Sequence, residues 1–599
     1  MVQEAMIDTH VAGKPEFPVR RQAALSATTI GRTFGPNDTY IIIALVLVGV
    51  IAPVAAAVCL HSFGIPQNDD WAYRITLFRS VATGHLSFVR WGSMTLVGQI
   101  LWAAPFVLFL GPHLWVAGVA VAVLACLGLA AAYLLARSIL PAGWSAFCVG
   151  LVMAAPGFLL NSTSFMTDVP AFSAEMICLY LGLLALRSCG RSRGIFLTGA
   201  MLVGSYGFSI RQFAIAAPIA VLICLALQDR RHPARYAIVG GGTAAICTAI
   251  YFVCIYLGSV TSGLALPTKG SFYDFAAMYF TLSFVLSPLL PRLIRGTVRS
   301  FSWPAGLAGT VALALGLELW HWWGDVFAGN YLFQQGALGA EPDLGPGRPD
   351  LFPGMLWMSF NLIALLGGVC LAASAGAALK PVLQSLHSAK STREQLAAVQ
   401  ARLNWFGANG HGLLVLFAVI TALGLGAYTL FSTKPAYDRY LYPIVLPLAV
   451  LLVGSARHLR SGGTIRLRER LIALAVAGLG SLVALAAVAV TLNADSQDAA
   501  LWAAGQSAVR AGSSPSSVDA GFAWRGYYQD VQGSSSDLGE YCAFVSNSSA
   551  AVAVEIGELL NFGSVPPVHL VQTVTYDELG FAVPEHLYVY ARHGAKCGV

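Results

Sequence analysis

The chain has 599 residues, of which 57% are hydrophobic and only 11% charged, well below the quarter or so that soluble domains carry. Its net charge of +6 comes from basic residues set in short loops between long apolar runs, so it calls for no nucleic-acid partner. Recurrent apolar runs over roughly the first 490 positions predict an all-α polytopic membrane protein; the short alternating strands of a β-barrel are missing.

Residues 1–39 are polar and carry Pro15, Pro18 and Pro36, which reads as a cytosolic arm. The first helix is expected at 40–61 and is read as uncleaved. It leads into Ile65-Pro66-Gln67-Asn68-Asp69-Asp70-Trp71-Ala72-Tyr73, the most informative stretch of the chain. Two adjacent carboxylates beside a membrane are costly unless they meet solvent, a cation or a partner. Arg74, Arg79, His85 and Arg90 follow closely and can offset them, and Trp71 and Tyr73 suit the membrane–water interface. An amphipathic helix from Trp71 to about Thr83 should end at Gly84. Residues 93–110 are apolar but interrupted by Gly98, Gln99 and Pro105. If they span, the basic residues Arg137, Arg187, Arg191 and Arg193 fall on the wrong side, so an interfacial helix is expected.

The remaining spans are expected at 113–136, 143–161, 170–186, 195–210, 213–228, 236–258, 273–291, 303–320, 354–378, 412–431, 440–456 and 471–492, thirteen in all. This topology puts the N-terminus in the cytosol. It puts Asp69 and Asp70, Asp168, the hairpin around Arg211, the loop 321–353 and the stretch Thr433 to Tyr440 on the outer side. The inner loop 380–411 should hold a helical stretch from Glu394 to Leu403. The module 40–492 is followed by a polar tail, 493–599, read as a small outer α+β domain: a helix at Ala499 to Val509, and strands within Val518 to Tyr528, Ala551 to Ile556 and Leu587 to Tyr590. Nine of the eleven cysteines lie in or beside apolar runs without metal-ligand spacing. Cys542 and Cys597 lie in the tail, where an outer location permits a disulfide.

A carboxylate can serve as general base toward a hydroxyl or hold a divalent cation, and Asp69, Asp70 and Asp168 leave both open. Arg211 and Arg439, the latter flanked by Tyr437 and Tyr440, are either snorkelling anchors or phosphate ligands; Lys434 is a weaker candidate. No P-loop and no His/Cys cluster is present. Few charges fall at mid-membrane, which counts against the alternative of a lipid or polysaccharide transporter or flippase.

These residues carry a family resemblance. Asp69-Asp70-Trp71-Ala72-Tyr73 resembles the acidic pair in the first outer loop of GT-C glycosyltransferases. The interfacial helix 93–110, Asp168 after the third span, and Arg439-Tyr440-Leu441-Tyr442-Pro443 at the start of a late span are similar too. The match is nearest the dolichyl-phosphate-mannose-protein mannosyltransferase-like family, the branch of protein O-mannosyltransferases and the lipid A aminoarabinose transferase. Asp70 stands where many members carry Glu, and the long soluble sugar-recognition modules of some members are missing. The resemblance implies inverting transfer of a hexose or pentose from a polyprenyl-phosphate donor to a lipid, glycan or protein acceptor outside the cytosol, in a plasma or inner membrane. It implies catalytic parts for Asp69, Asp70 and Asp168: Asp69 nearest the chemistry, taking or orienting the acceptor's proton, Asp168 in support, and Asp70 as a ligand or orienting group. Substrate contacts are expected from Tyr73, His85, Arg90, Arg211, Lys434, Tyr437, Arg439 and Tyr440, with a divalent cation, if any, on the three carboxylates.

Overall fold

The computed structural model describes residues 35–89, 91, 94–260, 266–299, 302–339, 349–388, 410–433, 435–457, 467–529, 541–547, 568–577 and 584–592. Two expected site residues, Arg90 and Lys434, lie outside these, as do the helix expected at 394–403, the strand expected at 551–556, and Cys597.

The expected spans fall largely on helix, but 143–161 breaks after Met153 and 273–291 bends at Leu286. The chain runs through α1 (Pro36–Cys59), α2 (Asp70–Thr83), α3 (Val97–Leu110), α4 (Leu114–Arg137) and α5 (Ala142–Met153). It continues through α6 (Asp168–Arg187), α7 (Gly190–Ile210), α8 (Gln212–Gln228), α9 (Pro233–Tyr256), α10 (Lys269–Val285), α11 (Leu290–Arg299) and α12 (Trp303–Trp323). The last helices of the bundle are α13 (Gly354–Ser388), α14 (Gly410–Phe431), α15 (Tyr442–Arg457) and α16 (Leu467–Arg510). Among the described residues, 8 helices are long and apolar enough to cross a membrane, or 9 if α10 and the segment after it, bent by 56° at Leu286, form one broken span. α3, α5 and α8 are apolar but shorter. Side chains such as Ile238, 75% exposed, and Phe109, 88% exposed, face outward in a way only lipid accommodates. The chain is a multi-pass membrane protein.

The interior holds α6 against α4, α7 and α8. Small residues allow this close packing: a Cβ on Gly128 of α4 would meet Ser173 of α6 at 2.2 Å, and one on Gly182 would meet Val221 of α8 at 2.2 Å.

Helix α2 follows its reading: it stops at Gly84, whose φ of 71° is the left-handed conformation glycine adopts freely. Helix α3 buries Gly98, Gln99, Ile100, Ala103 and Val107 and exposes Leu101, Leu108 and Phe109. Its start is tied to the end of α7: Leu96 N–H donates to the Ile210 carbonyl and Thr95 Oγ1 to the Phe208 carbonyl.

The tail departs from its reading in two places. The helices expected at 471–492 and 499–509 are one 44-residue helix, α16. The polar segment between them, Asn493 to Asp498, contains no Gly or Pro, and the helix carries it to partners on the loop after α1: Asp495 Oδ1 accepts from Ser62 Oγ at 2.7 Å and Gln67 Nε2 at 3.2 Å. The segment 518–528 is a two-residue strand, β1 (Val518–Asp519), then a helix, α17 (Gly521–Tyr528). Strands β2 (Ala543–Ser546), β3 (Val568–Asp577) and β4 (Pro584–Arg592) complete a sheet ordered β1-β2-β4-β3, with β1 parallel to β2 and the other pairs antiparallel. Cys542, just before β2, is disulfide-bonded.

Candidate active site

The loop after α1 brings the two acids of the motif to opposite sides of one helix start. Asn68, at a φ of 52°, turns the chain into α2. Asp70, first residue of α2, points inward and is fully buried. Its carboxylate accepts from Gln67 N–H at 2.6 Å, Phe165 N–H at 3.0 Å, and Arg74 Nε and Nη2 at 3.1 and 2.8 Å. Arg74 in turn donates to the carbonyls of Gly64 and Leu114. Burial raises the Asp70 carboxyl above its ordinary range against the pull of Arg74 and the two backbone N–H groups. With four donors from the protein itself, Asp70 is a latch that holds α2 to the loop before α6.

Asp69 occupies the N-cap position of α2 but makes no capping hydrogen bond. Its carboxylate turns outward instead. Oδ1 accepts from Trp91 Nε1 at 2.9 Å, and Oδ2 lies 3.4 Å from Arg439 Nη2. The side chain is 23% exposed, so a reactant can reach it.

Asp168 heads α6 as Asp70 heads α2, where the helix dipole favours negative charge. Its Oδ1 accepts from Arg211 Nη1, which also donates to Thr167 Oγ1 at 3.2 Å. Its Oδ2 lies 3.7 Å from Arg439 Nε. Arg439 therefore stands between Asp69 and Asp168, and its Nη1 donates to Asn330 Oδ1 at 2.8 Å. Burial would lower the Arg439 guanidinium, but Asp168 and Asp69 hold it well above its ordinary value. The ring of Tyr440 lies under both guanidiniums, 4.3 Å from Arg211 and 5.7 Å from Arg439, and Tyr437 lies 4.8 Å from Arg439.

Asp69, Asp168, Arg211, Tyr437, Arg439 and Tyr440 thus form one cluster at one end of the bundle. Tyr73 borders it, fully enclosed, its hydroxyl 2.9 Å from Met94 Sδ. His85 is not brought in: it sits exposed on the turn after α2, beside the Thr83 carbonyl.

Residues that the sequence reading passed over complete the site. Asn68 Nδ2 donates to Asn330 Oδ1 at 3.1 Å. Tyr331 Oη donates to Asn161 Oδ1 at 2.8 Å. Asp438 is fully buried and accepts from the Tyr331 and Leu332 N–H groups at 2.8 Å each, fixing the loop that presents Asn330 to Arg439. Asn330, at a φ of 141°, holds a backbone conformation costly for a residue other than glycine. Asn68 adjoins the acidic pair and Asp438 precedes Arg439, so proximity to the motifs is the signal that could have found them.

The carboxylates do not fit a divalent cation. Asp69 and Asp168 are bridged by a guanidinium that already supplies the positive charge between them, and Asp70 is saturated. Among the described residues no three His, Cys, Asp or Glu side chains converge.

No family model matches the chain, and no curated protein matches it. Among solved structures it is similar to ArnT from Cupriavidus metallidurans bound to undecaprenyl phosphate, with 12% identity and a TM-score of 0.42 over 92% of this chain and 99% of that one. The apo state of the same protein gives 12% and 0.36 over 92% and 98%. The Archaeoglobus fulgidus oligosaccharyltransferase in complex with Zn and sulfate gives 13% and 0.35 over 78% of this chain and 55% of that one. Likenesses this loose do not assign the chain to a family.

Proposed function

We propose that this chain is a membrane glycosyltransferase that moves a sugar from a polyprenyl-phosphate donor to an acceptor hydroxyl on the outer side of the membrane. One observation carries the reading: a partly exposed carboxylate, Asp69, and two buried guanidiniums, Arg439 and Arg211, are gathered where apolar helices end. The excess of basic residues in the loops on the N-terminal side supports placing this end outside.

The reaction is a single displacement. The acceptor oxygen attacks the anomeric carbon while its proton passes to Asp69. The bond from that carbon to the phosphate oxygen breaks, and its electron pair leaves with the polyprenyl phosphate. Attack opposite the leaving group inverts the anomeric centre. Positive character at the ring is stabilised by the carboxylates, and the charge growing on the phosphate by Arg439 and Arg211. Asp168 positions both guanidiniums. The polyprenyl chain lies along the lipid-facing helices.

The test is incubation of purified protein with a set of labelled polyprenyl-phosphate sugars and extracted envelope glycans, scoring release of polyprenyl phosphate. Release by the wild type that is lost in Asp69→Asn is the expected result. No release from any donor, or equal release by Asp69→Asn, would sink the reading.

A further inference from the structure

A cavity of about 270 Å³ opens between the tail and the bundle, beside the cluster but separate from its charged core. Asn68 forms part of its floor, Asp498 and Trp502 of α16 a wall, and Phe522, Trp524 and Arg525 of α17 the roof. Asn68 is the shared partition. It lines the cavity, immediately precedes Asp69 in the chain, and bonds to the same Asn330 oxygen that accepts from Arg439.

The cavity is built, and its walls are fixed. Trp502 and Trp524 pack edge to face at 4.8 Å, and Trp524 Nε1 donates to the Pro515 carbonyl at 3.1 Å. Arg525 is held by Asp519, Nε to Oδ1 at 3.3 Å. Phe522 packs on Trp91 at 5.7 Å, the tryptophan that bonds Asp69.

The lining decides the ligand. The half-buried Phe522 ring offers an apolar face, backed by the buried Trp502 and Trp524, while a carboxylate, two amides and a guanidinium offer hydrogen bonds of both senses. One acid and one base leave the lining without net charge, which disfavours a phosphate. The volume lies just under the ~300–1,000 Å³ of drug-sized ligand sites, too small for a lipid chain or a folded peptide. A compact, neutral, many-hydroxyl ring with an apolar face fits. We propose that this cavity seats a carbohydrate unit of the acceptor and holds it so that a hydroxyl reaches Asp69. This deepens the transferase reading and rests on it for the fate of that hydroxyl; the binding itself does not.

The test is saturation-transfer NMR on the full-length protein in nanodiscs, with methyl glycosides of common hexoses, pentoses and N-acetylhexosamines as probes and methyl phosphate as the comparison. The wild type should saturate at least one glycoside and not methyl phosphate. Asp498→Ala, at a partly exposed position, and Arg525→Lys, which keeps a positive charge beside the buried Asp519, should each weaken that signal roughly tenfold, the loss of one charge-assisted hydrogen bond. Asp69→Asn should keep it. In turnover assays the same two variants should raise the acceptor KM and leave the donor KM unchanged. Saturation of no glycoside, or equal saturation in the variants, overturns the proposal. Release of polyprenyl phosphate is scored separately: if it fails while glycoside binding holds, the reaction falls and the cavity's ligand stands.

Discussion

The Nε of Arg439 lies 3.7 Å from Oδ2 of Asp168; both are buried, and neither has a hydrogen-bond partner among the described residues. Opposite charges are thus held close but short of a hydrogen bond, while the rest of the guanidinium is fixed by Asn330 and Asp69. The planar fork matters more than the charge. Arg439→Lys keeps the charge but cannot span Asn330, Asp69 and Asp168 together. We expect turnover to fall about 10²-fold or more, as when one preorganised donor of a transition-state site is lost. Wild-type release of polyprenyl phosphate by Arg439→Lys would remove the fork from the chemistry.

The two acids of the motif should separate cleanly. Asp69→Asn keeps an acceptor for Trp91 Nε1 and disturbs little packing, so the melting temperature in detergent should stay close to wild type. Turnover should fall about 10²–10⁴-fold, the usual worth of a general base. Asp70→Asn should behave in the opposite way. It leaves Arg74, 1% exposed, without its counter-charge, and breaking a buried pair costs about 3–5 kcal/mol. The protein should melt at lower temperature, and the fraction still folded should retain turnover. A stable but inactive Asp70→Asn protein would place that carboxylate in the chemistry instead.

The motif's order already sets Asp69 nearest the chemistry and Asp70 in an orienting part, but not the contacts that separate them. The surroundings of adjacent residues at a helix start look equivalent in one dimension. Only the direction of α2 sends Asp70 to Arg74 and the 165 loop and sends Asp69 to Trp91 and Arg439. The long apolar runs were legible because membrane burial imposes one simple rule on every position. Asp168, Arg211 and Arg439 were legible because charge beside an apolar run needs a reason. Asn330 and Tyr331 were not, since an uncharged polar residue in a long loop is ordinary until the fold brings it to an arginine. The helix through 493–498 was missed for a related reason: its polar run reads as a break until Ser62 and Gln67 arrive to bond Asp495.

The tail's grip on the site depends on a glycine. A Cβ on Gly526 would meet the Trp71 ring at 2.1 Å, and Trp71 is enclosed by Trp91 and Phe522 at 5.4 and 6.4 Å. Neither ring can move without disturbing the other, so Gly526→Val should lift α17 off α2. Limited proteolysis should cut the variant's tail faster than the wild type's, and turnover should drop although no charged residue has changed. Equal cleavage rates would mean that the tail is held elsewhere.

The last prediction concerns pH and Asp438. Burial pushes this carboxyl from 3.8 up to about 7, against the Tyr331 and Leu332 N–H groups and the neighbouring Arg439, which all favour the charged form. Between those two values the folded protein holds a proton that the unfolded chain has released. Stability therefore declines as pH rises from about 4 to about 7 and levels off above that. Asp438→Asn keeps a carbonyl oxygen for the two N–H groups and cannot titrate. Its melting temperature should fall less than the wild type's between pH 5 and pH 8, and the two curves should run parallel above that range. The loop carrying Asn330 hangs on the same carboxylate, so wild-type turnover should carry a titration near neutrality that the variant lacks. Parallel melting curves from pH 5 upward would show that Asp438 stays ionised throughout and that the Asn330 loop is set without it.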